Sequence, residues 1–237
     1  MTGAYVMHLG LVPYREAWEL QRAIAGAVSQ RAIPDTVIFL EHPPTITLGR
    51  RTQEGEVHVP DGAEVEIVEV DRGGKSTYHG PGQLVCYPIF DLKRHGQDVK
   101  RYCRDLEEAL IRTLAATGIE GKRIDGLTGV WLTRPPRKIA SIGIHVHKWV
   151  TTHGYALNVD LDPSVFTDWI TACGLEDAAF TTIARELGHP LTVGDIRPAA
   201  VQALADTFTL SFEELPAEDG AGLWEQPIHE QLASSHR

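Results

Sequence analysis

The sequence has little cysteine, no excess of positive charge and no long apolar run. Three cysteines among 237 residues are too few for a disulfide framework in a chain of this size, so a reducing cytoplasm is the expected compartment. Neither a Cys-x-x-Cys nor a His-Glu-x-x-His pattern occurs, which removes the usual signatures of a zinc site. The net charge is −10, and that argues against general nucleic-acid binding, which needs a basic surface. No apolar run approaches a membrane span, and the first ten residues lack a basic region followed by an apolar core, so neither a transmembrane helix nor a signal peptide is expected. No internal repeat is present. What remains is an ordinary globular composition, 43% hydrophobic and 23% charged, long enough for one large domain or two small ones.

Periodicity lays out a mixed chain. Tyr5–Leu11 reads as a strand, and Pro13 opens a helix whose Ala17, Leu20, Ile24, Ala27 and Val28 recur at three- and four-residue steps. Strands are expected at Thr36–Leu40, Thr45–Leu48, Val65–Val70 and Leu84–Phe90, with a loop over Arg51–Gly62. Pro88 cannot donate to a ladder, so the strand containing it is expected at an edge or bent there. Asp98–Thr117 is the clearest helix, with an apolar stripe of Val99, Cys103, Leu106, Leu110 and Leu114 and Gly118 as its stop. Gly129–Thr133 and Ile139–His147 read as strands around a Pro135-Pro136 turn. A turn near Val150–Thr152 leads into His153–Leu161, and the two strands flanking it should form a hairpin. Pro163–Thr171, Thr181–Leu187 and Thr192–Thr207 read as helices, the last with Thr192 and Asp195 at capping-pair spacing. Residues 1–212 form the expected single domain. The acidic, polar residues Glu213–Arg237 are expected to be a mobile tail.

The stretch Asp71–Leu92 is the densest in chemistry. Arg72, a Gly73-Gly74 pair, Ser76, Thr77, Tyr78, His79 and Gly80-Pro81-Gly82 crowd together ahead of an apolar run. Glycine serves where backbone adopts unusual dihedrals or lets a ligand come close, so this stretch reads as a backbone-lined pocket with Arg72 and His79 at its rim. The plainer alternative is a glycine-rich hairpin. Cys86 and Cys103 fall in apolar patterns and read as core residues. Cys173 instead precedes a glycine at a helix-to-loop junction, the kind of place a nucleophilic thiol needs; a small turn residue is the alternative. Strand parity puts Lys138 on the apolar face with Ala140 and Ile142, where it either swings out or is partly desolvated, unless it belongs to the solvated Arg134–Lys138 cluster. His145, His147 and His153 lie near one another along the hairpin, but no further metal-ligand pattern accompanies them.

Together these stretches resemble the octanoyltransferase family of lipoate biosynthesis, whose members move an octanoyl group from acyl carrier protein to a lysine of lipoyl domains. The resemblance rests on Arg72-Gly73-Gly74-x-x-Thr77-Tyr78-His79-Gly80-Pro81-Gly82-Gln83, on Lys138-Ile139-Ala140-Ser141-Ile142-Gly143, on His153-Gly154-Tyr155-Ala156-Leu157-Asn158 and on Cys173-Gly174. It spans most of residues 10–180. One departure is Ala172, where the family usually has proline before the nucleophile.

The resemblance implies an α/β (α+β) fold, a mixed sheet flanked by helices like the catalytic domains of biotin and lipoate protein ligases. It implies Cys173 as the residue that carries the acyl thioester and Lys138 as the group that tunes it. Arg72, Gly73, Gly74, Lys75, Ser76, Thr77, Tyr78, His79, Ser141, Ile142, Gly143, Gly154, Tyr155 and Ala156 would line the acyl pocket, supported by His153 and Asn158. No cofactor, ATP or metal is expected, because a phosphopantetheine thioester is already activated. The implied partners are acyl carrier protein as donor, and lipoyl domains of 2-oxoacid dehydrogenase complexes and the glycine cleavage H protein as acceptors. No nucleic acid or membrane is implied. Since acyl carrier proteins are acidic in general, docking would need a local basic patch, with Lys93, Arg94, Lys100, Arg101 and Arg104 or Arg134, Arg137 and Lys138 as candidates. An ATP-dependent ligase of the same fold, a Cys-His hydrolase using His79 or His153, and a non-catalytic acyl-binding module are the alternatives.

Overall fold

A computed structural model describes residues 2–170 and 179–215. In chain order the strands are β1 (Thr2–Leu11), β2 (Thr36–Glu41), β3 (Thr45–Leu48), β4 (Glu66–Glu69), β5 (Thr77–His79), β6 (Gln83–Ile89), β7 (Lys122–Ile124), β8 (Leu127–Thr133), β9 (Pro136–His147), β10 (Val150–Asn158), β11 (Ala179–Phe180) and β12 (Leu210–Leu215). The helices are α1 (Tyr14–Ser29), α2 (Val99–Ala116), α3 (Val165–Asp168), α4 (Ile183–Leu187) and α5 (Val193–Phe208). Among the described residues, nine strands form a mixed sheet in the order β12-β1-β2-β6-β10-β9-β8-β7, with β11 pairing β9; β4-β3-β5 form a second, three-stranded sheet.

The large sheet is covered on both faces, so its middle strands are apolar throughout. Val37, Phe39, Leu84 and Cys86 point into the core beneath α2 and α5. The intervening Ile38, Leu40, Val85, Tyr87 and Ile89 point into the core beneath α1. Helix α1 follows Pro13 directly and buries Ala17, Ile24 and Val28. Helix α2 starts at an Asp98 cap, and α5 at a full Thr192–Asp195 capping box that the spacing anticipated. Val99 is exposed, and Tyr102 takes the first buried position of the α2 stripe instead.

Three local expectations change. Strand β6 is central, between β2 and β10, although it contains Pro88. The β6–β10 ladder ends at the Cys86–Tyr155 pair. Beyond it the Thr151 hydroxyl donates to the Pro88 carbonyl (2.7 Å) and accepts from the Phe90 N–H (2.8 Å), doing the work of ladder bonds that proline cannot make. The β9–β10 hairpin turns at Lys148-Trp149, both with positive φ (50° and 71°), so β10 begins at Val150 where a turn was expected. Two adjacent left-handed residues fit a tight hairpin turn, but Lys-Trp carries none of the usual glycine or asparagine signal. Finally, β12 runs to Leu215 and pairs in parallel with β1, so the first residues assigned to the tail belong to the sheet.

Candidate active site

A cavity of about 390 Å³ lies between the glycine-rich loop, the β9–β10 hairpin, Tyr14 of α1 and Trp131 of β8. The loop is held down by Arg72, which is buried and not at a rim. Its guanidinium donates to Thr47 Oγ1 (2.7 Å) and O (2.8 Å), to Gly73 O (3.1 Å) and to Lys75 O (2.8 Å). The Gly73 N–H donates to Ile144 O at 2.9 Å. A Cβ on Gly143 would sit 3.0 Å from Arg72 Cδ and 3.2 Å from Gly73 O. That glycine therefore lets the loop close on the hairpin; it does not open space for a chain. Lys75 pairs with Glu56.

Lys138 is buried, with 4% of its surface exposed, and its Nζ lies 5.3 Å from the Trp131 ring centroid. It does not share a face with Ala140 and Ile142. The β8–β9 register slips between the Val130–Ala140 and Trp131–Lys138 pairs, leaving Ile139 as an extra residue. Ile139 and Ala140 consequently both join the core, and Lys138 moves to the cavity face with Ser141. Gly129 makes room for it: a Cβ there would lie 2.8 Å from Lys138 Cε, and its φ of +113° disfavours any side chain.

His153 also breaks the alternation, with φ of +58°. By parity it would join Tyr155 in the core; instead it turns toward α1, where Nδ1 meets the Tyr14 hydroxyl at 3.1 Å and Nε2 meets Asp71 Oδ1 at 2.8 Å. Burial holds its pKa below the ordinary value despite Asp71, while the His153 hydrogen bond lowers that of Asp71. Strain of this kind in a non-glycine residue is typical of functional sites.

Of the residues expected to line the pocket, Arg72, Gly73, Gly74, Lys75, Ser76, Thr77, His79, Ser141, Ile142, Gly143, Gly154, Tyr155 and Ala156 do so, as does the supporting His153. Tyr78 does not. In a three-residue strand Thr77 and His79 face the cavity, and Tyr78 points away against Phe166 and Trp169. Asn158 is also off the wall; it accepts from Gln83 Nε2 (3.0 Å) and donates to Thr181 O (3.1 Å), tying β10 to the start of α4. Cys173 lies outside the described residues. Beyond it the described chain resumes at Ala179, and Phe180 pairs with Lys138.

Sequence reasoning missed Tyr14, Tyr87 and Trp131, which stand on the wall among core residues and carry no local motif. It also took Cys103 as plain core; Cys103 is half-buried and lines the cavity, and burial raises its thiol to about 11. Among the described residues no cluster of three or more metal-binding side chains occurs, and no helix is long and apolar enough to cross a membrane. The basic clusters are partly neutralised, with Arg94 paired to Asp35, Arg101 to Asp105, Arg104 to Glu107 and Arg137 to Glu186. Lys138, being buried, is no surface cation.

The family model for the lipoyl protein ligase A/B catalytic domain matches residues 13–205. The octanoyltransferase of Chloroflexus aggregans is 47% identical over 211 residues, covering 86% of this chain and 95% of that protein. The octanoyltransferase of Mycobacterium tuberculosis is 49% identical over 201 residues, covering 84% of each. This chain belongs to the octanoyltransferase family. Membership makes it an acyltransferase. The fold agrees: the bi-partite lipoate protein ligase of Thermoplasma acidophilum superposes with a TM-score of 0.74 at 16% identity, covering 95% of this chain and 92% of that one. A lipoate-protein ligase A bound with ATP gives 0.72 at 16% identity, covering 95% and 94%. In this octanoyltransferase-family chain the ligase-type sheet thus carries a cavity lined by a buried lysine and by a hydrogen-bonded group of tyrosines and histidines.

Proposed function

We propose that the protein transfers an octanoyl group from acyl carrier protein to the lysine amine of lipoyl domains, through an acyl thioester on Cys173. The observation that carries this reading is Lys138, a lysine almost fully buried on the wall of a cavity in a chain of this family. An ammonium there stabilises a neighbouring thiolate, and the thiolate is the nucleophile. The Cys173 sulfur attacks the thioester carbonyl, the carbon–sulfur bond to phosphopantetheine breaks, and the carrier thiol leaves with a proton. The new thioester is close in energy to the old one. The acceptor amine then attacks it, the amide forms, the Cys173 thiolate leaves and one proton is released. Amide formation drives the sequence forward without ATP.

The tetrahedral intermediates need hydrogen-bond donors. The Gly73 N–H is committed to Ile144 O, so the N–H groups of Gly74, Lys75 and Ser76 are the candidates. Each buried methylene of the chain is worth about 0.8 kcal/mol in an apolar slot, and Ile142, Ala156 and the Trp131 ring supply apolar wall. Acceptors would be the lipoyl domains of 2-oxoacid dehydrogenases and the glycine cleavage H protein, and the cytoplasm is where donor and acceptors meet.

The test is mass spectrometry after mixing with octanoyl carrier protein. The wild-type chain should gain one octanoyl group without ATP and lose it to an added lipoyl domain. Cys173→Ser should gain none. Acylation of the serine variant at the wild-type rate, or a requirement for ATP and free octanoate, would overturn the proposal.

A further inference from the structure

The cavity wall around Tyr14, Tyr87 and His79 is polar, and its hydrogen atoms can be assigned. His42 Nδ1 lies 2.6 Å from the Val12 carbonyl, which can only accept, so Nδ1 carries the proton. Burial lowers His42 to about 4 and keeps the ring neutral. His42 Nε2 is therefore an acceptor, and the Tyr87 hydroxyl, 2.7 Å away, donates to it. The Asp71 carboxylate accepts from His153 Nε2, so His153 Nδ1 accepts from the Tyr14 hydroxyl. Asn158 Nδ2 donates to Thr181 O, and Gln83 Nε2 donates to Asn158 Oδ1 and Tyr78 O. Gln83 Oε1 is thus the acceptor facing His79 Nδ1 (2.8 Å), and that nitrogen carries the proton. The Tyr14 and Tyr87 phenols approach each other, but both protons are committed elsewhere. Three atoms on this wall are left as pure acceptors: Tyr14 Oη, Tyr87 Oη and His79 Nε2.

Position matters as much as polarity. His153 pairs with Ile144, six residues along β9 from Lys138, at most about 20 Å between Cα atoms at strand rise. Side chains reach inward from both ends of that interval. Carbon–carbon bonds near 1.5 Å make an extended eight-carbon chain about 9 Å long, so an acyl group with its carbonyl near Lys138 can extend along the hairpin toward the acceptor group.

We propose that this wall selects the acyl chain by its far end, taking medium-chain acyl groups that carry a terminal hydrogen-bond donor, a hydroxyl being the simplest. The inference rests on the acyl-transfer reading above. A plain octanoyl chain leaves the acceptors to water. Two further methylenes press hydrocarbon against them and strip that water, and a buried acceptor without a donor is costly. A terminal hydroxyl on an eight-carbon chain supplies the missing proton itself.

The experiment compares octanoyl, decanoyl and 8-hydroxyoctanoyl thioesters of the carrier protein by kcat/KM. Tryptophan fluorescence titrations with octanoic and 8-hydroxyoctanoic acids supply a readout independent of transfer. An apolar wall would disfavour the hydroxyl by roughly tenfold or more. The wild-type chain should instead use the hydroxylated substrate as well as octanoyl and should discriminate against decanoyl about tenfold. Tyr87→Phe should lower the hydroxyoctanoyl-to-octanoyl ratio about tenfold, and Tyr14→Phe should move it in the same direction. A wild-type preference for octanoyl of tenfold or more overturns the proposal, as does a ratio unmoved in both variants. If both variants fail to fold, the wild-type ratio and acid titrations decide. If no thioester is transferred, the acyl-transfer reading fails, and the titrations still decide between a donor-seeking and an apolar wall.

Discussion

Strands β2 and β6 lie in the same sheet as β9 and β10 and follow a different rule. In β2 and β6 every second side chain enters one core and the others enter the opposite core, without interruption. In β9 and β10 the alternation fails twice, at the Ile139 bulge and at the left-handed His153. Each failure turns a charged or titratable side chain from the core onto the cavity wall. Regular pairing builds the frame, and its local breaks aim the chemistry. Native sheets use bulges in this way near active sites.

If that division holds, mutations in the two regions should separate stability from activity. Phe39→Ala in β2 should cost about 3–5 kcal/mol of unfolding free energy, since it empties a fully packed site. Urea titration measures this, and the fraction still folded should react at the normal rate. Lys138→Ala should do the reverse. Transfer should fall at least 100-fold, about 3 kcal/mol in barrier height, and the alkylation profile of Cys173 should move to higher pH. The urea midpoint should move less than in Phe39→Ala. Equal losses of stability and rate in both variants would erase the distinction.

His42 follows β2 and accepts from Tyr87 of β6, inside the frame. Its folded pKa is depressed to about 4 from 6.5. The unfolded chain therefore takes up the proton first as pH falls, and stability present above pH 6.5 is lost on the way down to about pH 4. The gap corresponds to about 3 kcal/mol. His79 and His153, also depressed by burial, add in the same direction. Unfolding free energy measured from pH 7 to pH 4 should fall, with a shallower slope in His42→Gln; identical slopes would show that His42 does not carry this pH dependence. The smallest effect belongs to a site remote from both regions. Thr192→Ala removes the α5 cap and should cost about 1 kcal/mol without changing transfer.

Much of the frame was legible beforehand because it rests on short-range periodicity. The apolar runs at Thr36–Leu40 and Leu84–Phe90, the α2 pattern after Asp98 and the Thr192–Asp195 pair all became the elements they predicted. The pocket motifs were legible as well, since Arg72–Thr77, Ser141–Gly143 and Gly154–Ala156 lie on one cavity. Other features were hidden for physical reasons. Pro88 sits in a central strand past the end of the β6–β10 ladder, where the Thr151 side chain, from a neighbouring strand, bonds the Pro88 carbonyl and the Phe90 N–H. A bulge leaves no mark in Lys-Ile-Ala, because it is a property of two paired strands. Tyr14 and Tyr87 read as core aromatics until His153 and His42 are placed beside them.

The sequence by itself determined the middle strands of the sheet, the long helices and the α5 capping pair, and its family resemblance pointed to which glycine-rich and lysine-bearing stretches would meet. Local dihedral preference and apolar spacing act over a few residues and need no partner to be read. Only the tertiary structure decided where Lys138 and His153 point, that Arg72 holds the loop, and that Tyr14, Tyr87 and His79 meet on one cavity. Those outcomes depend on strand register and on hydrogen bonds between residues dozens of positions apart, and no local rule carries that information.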